Sequence, residues 1–143
     1  MKKFAACFAV LIALISGIII GCAIVDRDVE RNISIAMKLH PGTAEDALIA
    51  YIQDPAVSAH DKSKIGVWTL GQIKSEKALP VLKTLYKDDP VGKSCRGKHD
   101  EVLCQYGLHR AIVAIESEKD VLPTKPYILH TKQYALRTKL KKN

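Results

Sequence analysis

Apolar and polar positions divide the chain into a long apolar start, a middle with helical periodicity and a basic end. From Phe4 to Val25 the residues are almost all aliphatic, and Asp26 and Arg27 are the first charges after this run. About 22 residues at roughly 1.5 Å per residue are long enough to cross a bilayer as a helix. The pattern therefore predicts a transmembrane or signal-anchor helix over residues 1–25.

Two other interpretations of this N-terminal run stay open beside an uncleaved anchor. A cleaved secretory signal has a shorter apolar region and a cleavage site of small residues, whereas here the apolar residues continue through Val25. A lipoprotein signal ends in a lipobox, which residues 19–22 (Ile-Ile-Gly-Cys) resemble, with Cys22 as the lipidated residue. In all three cases Lys2 and Lys3 stay on the cytoplasmic side and the rest of the chain is exported.

Helical patterning continues past the apolar run. Residues 33–39 alternate between apolar and polar positions, which also fits a strand. Because no Gly or Pro interrupts the chain after Val25, we expect the helix to continue to about Leu39 and to end at Pro41-Gly42. Residues 26–42 are thus predicted to be a juxtamembrane helix and linker.

Four shorter helices are predicted after this linker. Thr43 and Ser58 are candidate N-caps, and Pro80 lies in the first turn of its helix, where the missing N–H costs least. The approximate bounds are Thr43 to Asp54, Ser58 to Lys74, Glu76 to Tyr86 and Asp100 to Ser117. The fold class is therefore predicted to be all-α.

Three segments of the middle region carry a resemblance to a known family. They are Asp54-Pro55-Ala56-Val57, Thr69-Leu70-Gly71-Gln72-Ile73 and Ala78-Leu79-Pro80-Val81-Leu82. With them, residues 43–118 resemble bacterial HEAT repeats of the phycobilin-lyase-like type, although Lys74 stands where that repeat usually has Gly. The resemblance implies an α-α superhelix of about two helical hairpins. Since about three repeats are normally needed to close a core, we expect the flanking segments or a partner to cover the ends.

Cys95 and Cys104 are the only cysteines beyond the N-terminal run. An even pair in an exported protein indicates a disulfide, which would stabilise a loop of this size by roughly 2–3 kcal/mol. Free thiols and a zinc site with His99 and His109 are the alternatives. The zinc site is disfavoured because Cys104 and His109, five residues apart on a helix, point about 140° apart.

Trp68 is a candidate interaction residue. It stands at a position that is variable and usually exposed in HEAT repeats, and an exposed Trp is a good anchor for a protein interface or a membrane surface. The alternative is that Trp68 packs under the N-terminal helix or the C-terminal tail.

The C-terminal tail, residues 119–143, holds most of the chain's net charge of +7, since there are six Lys or Arg and no acid from Lys125 onward. Such a segment is either a solvated end or a binding site for anionic lipid or an acidic partner. The candidate residues are Lys132, Arg137, Lys139, Lys141 and Lys142.

The sequence offers little for catalysis. It contains no phosphate-binding Gly-rich loop, no His-x-x-x-His and no Gly-x-Ser-x-Gly, and the near-neutral repeat region disfavours nucleic-acid binding. No enzyme activity, metal or cofactor is predicted.

We expect a non-enzymatic protein-binding or scaffold subunit on the periplasmic face of the bacterial inner membrane, as an accessory component of a larger complex. The alternative is an envelope-maintenance lipoprotein of the inner or outer membrane, anchored through Cys22.

Overall fold

The computed structural model describes residues 2–117, with side chains for Leu14 and for residues 16–18 and 20–117. The regular structure of this part of the chain is entirely helical, which confirms the all-α prediction. The helices are α1 (Lys2–Leu39), α2 (Ala44–Gln53), α3 (residues 59–72), α4 (Leu79–Leu85) and α5 (Gln105–Glu116), with short 3-10 turns at Glu76–Ala78 and Lys93–Cys95.

Helix α1 continues without a break to Leu39, as the lack of a breaker after Val25 predicted. The chain divides into two compact units between Arg31 and Asn32, so that the last turns of α1 belong to the second unit. Ile33 and Ala36 are buried there at the three-residue spacing of a helix face, which resolves the ambiguous stretch in favour of helix.

A membrane-spanning helix was the prediction for residues 1–25. Among the helices in the part of the chain that the structure describes, none combines the length and the apolar character needed to cross a membrane. The anchor therefore stays a prediction.

Both predicted N-caps are present in the structure. The hydroxyl of Thr43 accepts a hydrogen bond from the backbone N–H of Asp46 at 3.2 Å, and the hydroxyl of Ser58 accepts one from Asp61 at 3.1 Å. Each bond satisfies an N–H that lacks a partner within the first turn of its helix. The starts of α2 and α3 follow from these two residues.

Helix α3 has an irregular centre that the sequence pattern did not predict. Its parts are an α-helical turn (Ala59–Asp61), a π-helical segment (Lys62–Val67) and a final α-helical stretch (Trp68–Gln72). Gly66 lies in the π segment against α2, where an added Cβ would overlap the Cγ2 atom of Ile52. At Gly71 an added Cβ would lie 3.0 Å from the Cα of Ala111 in α5. These two glycines let α3 lie in close contact with its neighbours.

The end of α3, the start of α4 and the turn between them are here called the corner (residues 69–82). Its turn is a Schellman motif. The N–H of Ser75 donates to the carbonyl of Leu70 at 3.1 Å, and the N–H of Lys74 donates to that of Gly71 at 3.3 Å. Lys74 takes the left-handed conformation, with φ at +51°. In a Schellman motif this is the position where Gly is normally found, because Gly adopts the left-handed conformation without strain.

The corner is also tied to the start of α2 by polar contacts. The hydroxyl of Ser75 donates to the carboxylate of Glu45 at 2.6 Å, and Lys77 forms an ion pair with Asp46. The hydrogen bond with Lys77, with a further one from Thr43, lowers the pKa of Asp46. Two acidic residues in the first turn of α2 thus complement the helix dipole and hold the corner.

The core of the second unit is formed by the apolar faces of α2 to α5, together with Ile33 and Ala36 in the last turns of α1. Its largest fully buried apolar side chains are Leu48, Ile52, Val67, Leu70, Leu82, Leu108 and Ile115. The buried hydroxyl of Thr69 accepts a hydrogen bond from the side chain of Asn32 at 3.0 Å, which satisfies a polar group inside this core.

Helix α5 begins at Gln105 and not near Asp100, so the predicted start was wrong. Residues 98–102 form a separate turn, in which the N–H groups of Glu101 and Val102 both donate to the carbonyl of Lys98. Cys104 is extended, and its N–H donates to the hydroxyl of Ser63 in α3 at 3.2 Å. Because its N–H is engaged by α3, Cys104 cannot continue a helix from residue 100.

Candidate functional site

The segment between α4 and α5, here called the cysteine loop (residues 89–104), is held at its start by one carboxylate. Asp89 accepts hydrogen bonds from the N–H of Lys93 at 3.0 Å, from the N–H of Ser94 at 2.8 Å and from the Ser94 hydroxyl at 2.7 Å. The bonds from the backbone and hydroxyl of Ser94, with those of Lys93 and Gly92, lower the pKa of Asp89 to about 2. Asp89 therefore stays ionised and organises the first turn of the loop.

Gln105 holds the other end of the loop. Its side-chain oxygen accepts from the N–H of Lys87 at 2.6 Å, and its amide nitrogen lies 3.4 Å from the carbonyls of Leu85 and Leu103, to which it donates. Gln105 is buried and joins the end of α4 to the start of α5. This role was not predicted from the sequence, although a polar residue on the buried face of α5 was a signal for it.

Cys95 and Cys104 lie at disulfide-bonding distance, as predicted. Their Cα atoms are 5.2 Å apart, within the normal range for a disulfide. Cys95 is buried, whereas Cys104 is half-buried beside Ser63. The pair links the 3-10 turn of the loop (Lys93–Cys95) to the residue before α5.

The structure brings together only part of the ligand set considered for zinc. Potential ligand atoms of Cys95, His99 and Cys104 all lie within 4.8 Å of one another. His109 instead stacks on the ring of Tyr86, with ring centroids 5.8 Å apart and an angle of 26° between the planes.

Helix α5 presents an exposed stripe beside the loop, made of Tyr106, Arg110 and Val113. These residues are spaced by four and three, so they lie on one face of the helix. Tyr106 and Val113 are each 47% exposed. Arg110 donates to the Tyr106 hydroxyl at 3.1 Å and its guanidinium carbon lies 5.9 Å from the centre of the Tyr106 ring. We call these three residues the α5 stripe.

The cysteine loop contacts the stripe at Gly92 and carries a further exposed apolar residue, Val91. Val91 is 62% exposed, and the adjacent Gly92 packs so closely on Tyr106 that an added Cβ would lie 2.8 Å from the Cβ of Tyr106. Gly92 has φ at +69°, a conformation that favours Gly. Val91 thus directly precedes the residue that packs on Tyr106.

The remaining residues singled out in the sequence have different outcomes. Trp68 is half-buried, between the fully buried Val67 and Thr69, and its role as an interaction residue stays a prediction. Cys22 is exposed on α1. The tail residues Lys132, Arg137, Lys139, Lys141 and Lys142 lie outside the described residues.

A shallow groove also lies between the end of α2 and α4. Its volume is about 200 Å³, and it is lined by Gln53, Pro80, Val81, Thr84 and Leu85. Pockets for small molecules usually measure roughly 300–1,000 Å³ and carry several converging polar groups. This groove offers neither the size nor the chemistry of such a site.

No family model, curated protein or solved structure matches this chain.

Proposed function

We propose that this chain is a non-enzymatic subunit whose HEAT-like helical domain binds a partner protein through the α5 stripe. The observation that carries the proposal is the exposed pairing of Tyr106 with Arg110, with Val113 on the next turn. Tyr and Arg are enriched among residues that dominate binding energy at protein interfaces. An exposed apolar patch that contains them is a typical interaction site.

The stripe is well suited to binding because its residues are held in place before a partner arrives. The opposite face of α5 is packed in the core through Leu108, Ile112 and Ile115. The contact between Arg110 and the Tyr106 ring restricts both long side chains. Side chains that are already ordered lose less entropy on binding, so more of the contact energy is available for affinity.

The chemistry of the stripe defines the partner that it fits. The exposed apolar side chains, Tyr106 of the stripe and Val91 of the cysteine loop, would bind in an apolar pocket. The Arg110 guanidinium would bind a carboxylate through two hydrogen bonds. The partner that we propose is therefore a protein surface with an apolar pocket and an Asp or Glu at its edge.

Support for the HEAT-like assignment comes from the corner. Its Schellman motif puts a left-handed residue at position 74, where the repeat usually has Gly. The helices on both sides bury Leu70 and Leu82, which belong to the segments that carry the resemblance.

The proposal places this domain on the periplasmic side of a bacterial inner membrane, held there by residues 1–25 as a signal anchor. The support is the apolar run from Phe4 to Val25 that follows Lys2 and Lys3.

A lipoprotein in envelope maintenance is the second candidate, favoured by the exposed Cys22 at the end of a lipobox-like segment. Mass spectrometry of the mature protein separates the two, because an intact Met1 excludes lipidation and a diacylglyceryl group on Cys22 excludes the signal anchor.

Site-specific photo-crosslinking in isolated membranes tests the binding proposal. With the photoreactive residue at Val113, we expect an adduct with one protein. The linked peptide should come from a part of that protein's surface that has an apolar pocket with an Asp or Glu at its edge. Arg110→Glu should reduce that adduct at least tenfold, while Arg110→Lys should retain part of it. The same photoreactive residue at the exposed Lys64 of α3 is the matched control and should not capture this protein.

Two outcomes would overturn the proposal. In the first, the residue at position 113 links only to a peptide of the chain's own tail, residues 119–143, which would show that the stripe is covered within the molecule. In the second, the adduct persists unchanged in Arg110→Glu, which would show that capture does not depend on the stripe.

A further inference from the structure

We infer that the reduced cysteine loop is a Zn²⁺ site with Cys95, His99 and Cys104 as its protein ligands. The potential ligand atoms of these three residues lie within 4.8 Å of one another. Two thiolates and one imidazole are a ligand set that Zn²⁺ takes in proteins, with water or another ligand at the fourth position. This site is independent of the α5 stripe and goes beyond the proposed binding function.

The loop holds its cysteines in place through hydrogen bonds that do not involve the sulfur–sulfur bond. On one side, Asp89 accepts from the N–H groups of Lys93 and Ser94, next to Cys95. On the other side, the N–H of Cys104 donates to Ser63 in α3. Because these contacts are independent of the sulfur–sulfur bond, we expect the backbones of both cysteines to keep their positions after reduction and so to preorganise the two ligands.

His99 is brought to the cysteines by the turn at residues 98–102. The N–H of Lys98 donates to the carbonyl of Cys95 at 3.1 Å, and the N–H of Val102 donates to the carbonyl of Lys98 at 3.0 Å. The turn is thus bonded to Cys95 itself, which fixes the backbone of His99. The side chain of His99 is exposed, and one of its ring nitrogens lies within 4.8 Å of both sulfurs.

Only small movements are needed to form a metal site from this arrangement. In a tetrahedral zinc site with Zn–S distances of about 2.3 Å, the two sulfurs lie about 3.8 Å apart. They must therefore separate from bonding distance after reduction. Cys104 is only half-buried, so rotation of its side chain supplies this change without disturbing the buried Cys95.

The disulfide and the metal site are mutually exclusive states of the same residues. A dithiol reductant gives two electrons and two protons to the Cys95–Cys104 bond and itself becomes a disulfide, which leaves two thiols on the loop. Zn²⁺ then binds both sulfurs as thiolates and releases two protons. Metal affinity should therefore require the reduced loop and should increase with pH.

The test is a metal titration of the full-length protein with Cys7 and Cys22 replaced by serine, so that the loop holds the only thiols. Zn²⁺ affinity is measured by competition with a chromophoric chelator, and Co²⁺ serves as the spectroscopic probe. After reduction with a phosphine, we expect one ion per chain and a sulfur-to-cobalt charge-transfer band. The oxidised protein should show neither.

His99→Ala should weaken Zn²⁺ binding to the reduced protein at least tenfold. His109→Ala is the matched control, because His109 stacks on Tyr86 away from the cluster, and should leave the affinity unchanged. Both substitutions avoid the buried Cys95, and the helical signal of each variant checks that it folds. The proposal fails if the reduced protein binds no stoichiometric Zn²⁺ or if His99→Ala binds as tightly as its parent. Neither result depends on partner binding through the α5 stripe.

Discussion

The corner and the cysteine loop are both connections between helices, but they are stabilised in different ways. In the corner, Leu70, Ala78 and Leu82 are completely buried, and the turn is a standard helix ending. In the cysteine loop most side chains are exposed, and order comes from Asp89, from Gln105 and from the cysteine pair.

The two connections therefore differ in how strongly they depend on individual residues. A corner stabilised by apolar burial can be formed by many sequences with the same pattern, because burial is not directional. A loop held by a few directional bonds depends on individual residues. The cysteine–histidine cluster and the exposed Val91 both lie at this second kind of connection.

Loss of the disulfide in the cysteine loop should have the largest effect on the stability of the protein. In the chain-entropy model, a closed loop of this length stabilises the fold by roughly 2–3 kcal/mol. We expect Cys95→Ala/Cys104→Ala to lower the free energy of unfolding by about this amount, measured by urea denaturation in the presence of a chelator. Reductant should lower the stability of the wild type similarly and leave the double variant unchanged.

Gly66→Ala tests the close packing of α3 on α2. The new methyl group would overlap Ile52, which is only 2% exposed, so one of the two helices must shift. Overpacking of this kind costs about 1–3 kcal/mol, and we expect about 2 kcal/mol by thermal or chemical denaturation. Gly107→Ala in α5 is the control, because its Cβ would meet no atom within 4 Å, and it should stabilise by about 0.5–1 kcal/mol.

Lys74→Gly should stabilise the corner by about 0.5–1 kcal/mol, since Gly relieves the left-handed strain at φ +51°. Asp88→Gly is the comparison outside the corner. Asp88 has φ at +53°, but Asp tolerates this conformation better than Lys, so the gain should be smaller. If Lys74→Gly destabilises the protein in urea denaturation, the side-chain interactions of Lys74 outweigh its backbone strain.

Asp89→Asn should give the smallest effect and a characteristic pH dependence. The pKa of Asp89 falls from its usual 3.8 to about 2 in the folded protein, so its stabilisation is complete above about pH 4 and is lost as the pH falls toward 2. We therefore expect the wild type to melt above Asp89→Asn at pH 7 and the gap to close between pH 4 and 2. Glu101→Gln controls for general charge effects, and a gap independent of pH would contradict the role of Asp89.

Much of the fold could be predicted because its signals are local. Thr43 and Ser58 cap their helices through their own side chains, and Pro41-Gly42 follows the last helical residues of α1. The start of α5 was wrong by about five residues, because Asp100 and Glu101 resemble the first turn of a helix. The contact of Cys104 with Ser63, 41 positions earlier in the chain, decides against that start, and no local pattern reports it.

The candidate site could be predicted only in part for the same reason. The pairing of Cys95 with Cys104 follows from their being the only two cysteines beyond the N-terminal run. The choice of His99 over His109 as their neighbour depends on the turn at Lys98 and on the stacking of Tyr86. Spacing along a helix argued against His109 as a ligand beside Cys104, but it could not show that His99 lies close to the two cysteines.

The sequence by itself determined the helical class, the helix caps and the corner, because apolar periodicity and capping residues act within one or two turns of chain. Only the tertiary structure decided the π-helical segment at Gly66, the burial of Gln105 and the exposure of Tyr106 beside the loop. Each of these depends on which atoms of distant segments meet, and close packing leaves room for only one arrangement.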